Sequence, residues 1–114
     1  MTISTRQIGA VIVLEPQIAR LDASAGLALR HSMRELAGHS RRLIVNLSRV
    51  TSIDGAGLGS LVNGLQDMGP TGDFRLCALQ PAVRARVSAA ALDRVMNVYE
   101  SEAQSLGAML PQAA

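Results

Sequence analysis

The sequence predicts an α/β fold: one domain, a mixed sheet with an N-terminal hairpin, and helices mainly on one face. Three observations carry this reading. The 114 residues suffice for one compact domain and not for two. The run Leu43-Ile44-Val45, carried through Asn46 to Leu47, is apolar almost throughout, as a strand buried on both faces would be. Directly after it, Leu58, Leu61, Val62, Leu65 and Met68 recur at the three-and-four spacing of one helix face.

The elements follow in order. Thr2 to Gln7 and Ala10 to Leu14 read as two strands around an Ile8-Gly9 turn, with Pro16 closing the second. Residues 17–22 carry no clear period; Ile18 and Leu21 are expected to be buried anchors. Ser24 to Ala37 reads as a helix whose stripe is Ala25, Leu29, Met33 and Leu36, with Gly38 as its stop. The central strand, a polar connection and the second helix come next, the helix opening at Asp54. That aspartate is an N-cap candidate, because its carboxylate can accept from free N–H groups of the first turn. Gly69-Pro70-Thr71-Gly72 breaks the chain before a strand from Phe74 to Leu79. Pro81 suits a first helical position, and Val83, Val87 and Ala90 give a third stripe. Val95 to Tyr99 reads as a last strand. Ser101 and Gln104 have capping-box spacing for a fourth helix with Ala103, Leu106 and Leu110 on its inner face. Helical crossovers between the later strands imply parallel pairing with right-handed connections. The domain is expected to span residues 1–110, with 111–114 as a flexible tail.

Composition excludes several functions. Phe74 and Tyr99 are the only aromatic residues, so the core is aliphatic and a base-stacking platform for single-stranded nucleic acid is missing. All eleven basic residues are arginine. Schiff-base chemistry and the lysine of a Walker loop are therefore out of reach. Arg41, Arg42 and Arg49, and Arg84 with Arg86, read as solvated faces and not as a nucleic-acid patch. Cys77 is the single cysteine and lies in a strand-like segment, where a buried inert thiol is expected. The first residues lack an apolar signal core, and no apolar segment is long enough for a bilayer. A cytoplasmic protein without direct membrane insertion is the expectation.

The polar turn before the second helix carries little chemistry. Gly55, Gly57 and Gly59 sit between a strand and a helix, but the dinucleotide fingerprint needs a further glycine at Ser60 or Val62. His31 and His39 would lie about 12 Å apart along a helix, too far to share a metal. No nucleophile, base and orienting group stand at readable spacing. Catalytic residues, metal ligands and cofactors are expected to be none. The turn reads as a surface to be recognised.

LIVNLSRVTSIDGAGLGSLV resembles the signature of STAS domains, the family of bacterial anti-sigma factor antagonists. Members typically show an apolar strand, Asp-Leu-Ser, a few residues, then Ile-Asp-Ser-Ser-Gly-Leu-Gly. Arg20-Leu21-Asp22-Ala23, Ala78 to Arg84, and Leu92 to Val95 are similar to flanking parts of the family, so the likeness runs from Val11 to Leu110. Two positions depart from it. Asn46 stands where the family usually has Asp, and Gly55 stands where its phosphorylatable Ser follows the Asp.

The resemblance implies a module that binds an anti-sigma factor, itself a serine kinase-like protein, and so regulates sigma-factor-dependent transcription. Ser52, Asp54, Gly55, Ala56, Gly57 and Leu58 would form the partner-binding turn. In the family, a phosphate placed there adds about −1.5 to −2 charges and releases the partner. Glycine has no hydroxyl, so the usual switch is missing; Ser48, Thr51, Ser52 and Ser60 are the remaining nearby acceptors. The alternative reading is a STAS accessory subunit of a membrane lipid-transport ABC system. A nucleotide- or lipid-binding sensor is a third, and a homodimer is left open.

Overall fold

The computed structural model describes residues 2–109. Leu110 and the expected tail at 111–114 lie outside the described residues. The chain folds as a single α/β domain around a five-stranded mixed sheet of order β1-β2-β4-β6-β7. β1 (Ile3–Ile8) and β2 (Val11–Pro16) form the antiparallel hairpin. Its turn lies one residue later than expected, with Gly9 at φ 60°, a left-handed conformation that glycine adopts without a Cβ penalty. β4 (Arg42–Asn46) pairs parallel with β2, β6 (Asp73–Cys77) with β4, and β7 (Asn97–Tyr99) with β6.

Alternation along the inner strands divides the sheet into two apolar faces. Ile12, Leu14, Leu43, Val45, Phe74 and Leu76 point to the main core. Val11, Val13, Ile44 and Cys77 point to a smaller cluster on the other side. β4 is thus buried on both faces, which is why its sequence shows an unbroken apolar run.

The main core is covered by α1 (Ala23–Ala37), α2 (Gly55–Met68) and α3 (Pro81–Ala89). α1 buries Ala25, Leu29 and Met33 as its spacing implies. Its stop, Gly38, has φ −73° and does not use the left-handed freedom of glycine. α2 keeps its expected stripe in part: Leu61 and Met68 are buried, and Leu58 and Leu65 pack against the core. Its buried residues are Gly57, Ser60, Leu61, Gly64 and Met68, while Leu58, Val62 and Leu65 are half-buried. The reason is the close approach of α1. A Cβ on Gly64 would stand 2.7 Å from Met33 Cε, and one on Gly26 would stand 3.0 Å from Ser60 Cβ. Small residues, not large ones, face the neighbouring helix.

α3 begins at Pro81 and buries Val83 and Val87, but Ala90 lies at its C-cap and is exposed. The segment 90–96 then makes a short 3-10 turn (Leu92–Arg94), so the last strand starts at Asn97 and Val95 is exposed. α4 (Glu102–Met109) crosses the second face. Of its expected inner residues, Leu106 packs on the small cluster, Ala103 is exposed, and Ser105 is buried in its place. Two short strands, β3 (Arg20–Leu21) and β5 (Ser52–Ile53), pair in parallel as a separate ribbon. β3 gives structure to the segment that the sequence left unassigned.

Candidate functional site

The β3-β5 ribbon holds the turn at the start of α2 in place. The amides of Thr51 and Ser52 both donate to the Ala19 carbonyl, at 2.7 and 3.0 Å, and the Thr51 hydroxyl donates to the same oxygen at 3.0 Å. The Asp54 amide donates to the Leu21 carbonyl at 3.3 Å. Asp54 has extended backbone, and its carboxylate accepts from the Gly57 amide at 2.8 Å, as an N-cap does. Asp22 does the same for α1, accepting from the Ala25 amide at 3.0 Å.

The six residues singled out in the sequence divide into two groups. Ser52, Asp54, Gly55 and Ala56 are exposed. Gly57 and Leu58 are not: Gly57 is buried, and half-buried Leu58 packs against the main core. A Cβ on Gly57 would collide with the Leu21 carbonyl and stand 2.8 Å from Ile53 Cγ1. Gly57 therefore lets α2 sit down on the ribbon, and the ledge above it is offered to solvent. Gly55 and Gly59 add to its low relief, since a Cβ at either would meet nothing within 4 Å.

The nearby hydroxyls also separate. Ser60 is buried, and its Oγ donates to the Gly57 carbonyl at 2.6 Å. Ser48 is half-buried, its amide donating to Asn46 and its carbonyl accepting from Gln80 Nε2 at 2.8 Å. Thr51 is exposed with its hydroxyl engaged. Ser52 is exposed, and its cross-strand neighbour on β3 is Arg20, also exposed. Arg20 is the site neighbour that sequence reasoning missed, because two residues of strand are too few to show a period.

Charge around the ledge is uneven. Among the described residues, Arg6, Arg30, Arg34, Arg49 and Arg75 stand within ion-pair distance of carboxylates. Arg20, Arg84, Arg86 and Arg94 do not. The last three belong to α3 and the turn after it, and α3 packs against β5.

Asn46, the other departure, closes the C-terminal end of β4. It is 7 % exposed; its Nδ2 donates to Glu102 Oε1 at 3.1 Å, and its Oδ1 accepts from the Ser48 amide at 2.9 Å. Glu102 also takes a two-pronged hydrogen bond from Arg6. The Arg6 guanidinium holds the Glu102 carboxyl below its ordinary value, against burial and with help from Asn46. An aspartate at position 46 would set a second carboxylate against Glu102, so the amide here has a physical reason. Cys77 lies beneath α4, its thiol pushed up to about 12 by burial.

Among the described residues, no group of three His, Cys, Asp or Glu side chains is placed to hold a metal ion. No helix there is long and apolar enough to cross a membrane. The STAS domain family model matches residues 2–105.

The chain belongs to the STAS domain family. Its fold is that of a candidate anti-sigma factor antagonist from Thermotoga maritima, with a TM-score of 0.85, 23 % identity, and 93 % of this chain and 92 % of that one covered. An anti-sigma-factor antagonist (STAS) domain protein from Planctomyces limnophilus gives a TM-score of 0.84 at 20 % identity, covering 94 % of this chain and 97 % of that chain. The Bacillus cell fate determinant SpoIIAA in its phosphorylated form gives 0.73 at 17 % identity, covering 96 % of this chain and 100 % of that chain. A search of curated proteins gives no match. In this STAS domain the signature turn is the exposed ledge just described.

Proposed function

We propose that this STAS domain is a non-catalytic binding module that captures an anti-sigma factor through the ledge Ser52 to Ala56, and so frees a sigma factor for transcription. The observation that carries the reading is the ledge itself. Four exposed residues are fixed from below by the Asp54 cap, the β3-β5 ribbon and the buried Gly57. Such a surface is preorganised, so binding loses little freedom there. Gly57 and Leu58 support the surface without forming its outer layer.

The partner is a serine kinase-like anti-sigma factor with an acidic edge. Arg20, which pairs across the ribbon with Ser52, has no carboxylate partner and favours negative charge opposite it, and α3, which packs against β5, carries Arg84 and Arg86, also without ion-pair partners. Binding that uses them weakens as salt rises. Position 55 has no hydroxyl, so release does not depend on a phosphate there.

The test is calorimetric titration of the purified protein with each anti-sigma factor of the source genome. Binding by one of them is expected, and Ala56→Glu should weaken it at least tenfold, about 1.4 kcal/mol. The inserted charge sits at a helix N-terminus, which tolerates it in the free protein, but lies buried without a partner in the complex. Absence of binding to every such protein, with co-purification of a lipid-transport permease and ATPase, would instead assign the domain to a transporter.

A further inference from the structure

We propose that α4 is a releasable cover over the second face of the sheet, latched at its first turn by Arg6, Glu102 and Asn46. The helix spans Glu102–Met109 and packs on β4, β6 and β7, and its Leu106 joins the cluster of Val11, Val13, Ile44 and Cys77. Among its described side chains, Leu106 is the one that joins this apolar cluster, and it is only half-buried. Beside it, Ser105 is 0 % exposed, and its Oγ has no hydrogen-bond partner. An orphan hydroxyl under a helix opposes the docking of that helix. Gly107 weakens the same helix further, since glycine is a poor helix former.

The first turn is built differently. Glu102 receives Arg6 from β1 and Asn46 from β4, so one carboxylate joins α4 to two strands. Ser101 and Gln104 complete the start: the Gln104 amide donates to Ser101 Oγ at 3.1 Å, and Gln104 Oε1 accepts from the Glu100 amide at 3.2 Å. Among its described side chains, the helix is thus held by polar bonds at one end and by the single apolar contact of Leu106. Opening at the latch bares the cluster below while the main core, on the opposite face, stays packed. Elements with few buried apolar contacts open below the cost of global unfolding.

Cys77 is the built-in probe, being the single cysteine and fully covered. The folded full-length chain is mixed with an excess of a chromogenic aromatic disulfide. When α4 opens, the Cys77 thiol gives its proton to solvent, its thiolate attacks the reagent, a mixed disulfide forms, and a coloured aromatic thiolate leaves. Labelling is expected in buffer without denaturant, at a rate insensitive to low urea. Glu102→Ala removes the acceptor of both latch bonds and should speed labelling about tenfold. Gly107→Ala adds a methyl group into open space and should slow it about fivefold through helix propensity. Leu61→Ala, which weakens the opposite face, should leave the rate in denaturant-free buffer unchanged. Labelling that tracks global unfolding across the urea series would overturn the proposal. So would equal acceleration by Leu61→Ala and Glu102→Ala, or no change in Gly107→Ala, which is expected to fold at least as well as the parent.

Discussion

On one side of the sheet, α1, α2 and α3 share a continuous aliphatic core with Leu14, Leu43, Val45 and Leu76, and glycines let α1 and α2 approach closely. On the other side, among the described residues, a cluster of four buried apolar residues packs with Leu106 of a helix joined to the strands by Arg6, Glu102 and Asn46. The difference teaches where rigidity is placed. The thick face carries the ledge, because α2 begins on it, and the proposed recognition surface benefits from being fixed. The thin face is held by directional bonds, which are lost together when one partner is removed.

The largest effects are therefore expected on the thick face. Gly57→Ala would force α2 away from the Leu21 carbonyl and Ile53, and should cost about 3 kcal/mol or more. Leu61→Ala, at a fully buried position, should cost about 2–5 kcal/mol. Leu106→Ala on the thin face should cost only about 1 kcal/mol, because the residue is half-buried. Urea unfolding of the three variants measures the contrast. Equal losses for Leu61→Ala and Leu106→Ala would erase the distinction between the faces.

Next in size comes Asn46→Asp. It replaces the donor to Glu102 by a second carboxylate at a nearly buried position, and should cost about 1–3 kcal/mol at neutral pH. Like charges raise each other's pKa, so this loss should shrink on acidification, as one carboxyl takes a proton and again donates. The parent behaves in the opposite sense. Its Glu102 carboxyl is held below the ordinary value by Arg6. The bridge therefore contributes above the unfolded carboxyl's range, and its contribution is lost as pH falls through the lower, folded value. Arg6 is half-exposed, so that contribution is about 1 kcal/mol or less. Stability against pH, measured for both proteins between the acid range and neutrality, should give curves that converge at low pH. Parallel curves would place the cost of the substitution in packing and not in charge.

The thick face was also the legible one. An unbroken apolar run marked β4, Asp54 marked the start of α2, and Pro81 with Val83 and Val87 marked α3, because each signal is local. Of the α2 stripe, Leu61 and Met68 are buried and Leu58 and Leu65 pack on the core, but hydrophobicity alone does not show that Gly57, Ser60 and Gly64 lie inside the helix contact. Gly57, Ser60 and Gly64 are buried by the nearness of α1 and β3, a property of the pair and not of the segment. The thin face was less legible for a related reason. Arg6 and Glu102 lie 96 residues apart in the chain, and no period or motif joins them. At the ledge, the exposure of Ser52, Asp54, Gly55 and Ala56 agrees with the polar turn legible in the sequence, but the ribbon beneath them has no sequence signal. β3 and β5 are two residues each, below the length at which alternation can be read.

The smallest effect on stability, and the most direct probe of the ledge, is expected from Gly55→Ser. Residue 55 opens α2, its added Cβ meets no atom within 4 Å, and serine has better helix propensity than glycine. Unfolding should shift by a few tenths of a kcal/mol toward greater stability. The functional consequence depends on the partner. With a serine kinase-like anti-sigma factor and ATP, the variant should gain a phosphate at the helix N-terminus, where free N–H groups and the helix dipole favour it. That dianion then meets a surface shaped for a neutral ledge, and affinity should fall about tenfold, or about 1.4 kcal/mol. The parent, incubated in the same way, should keep both its unmodified turn and its affinity. Phosphopeptide mapping joined to calorimetry on both proteins separates the outcomes. Phosphate on Ser52 of the parent, with loss of binding, would show a switch moved three residues to the one exposed serine beside Arg20. A variant that binds its partner but is never phosphorylated by it would remove the kinase from the proposed function and leave the ledge as a plain docking surface.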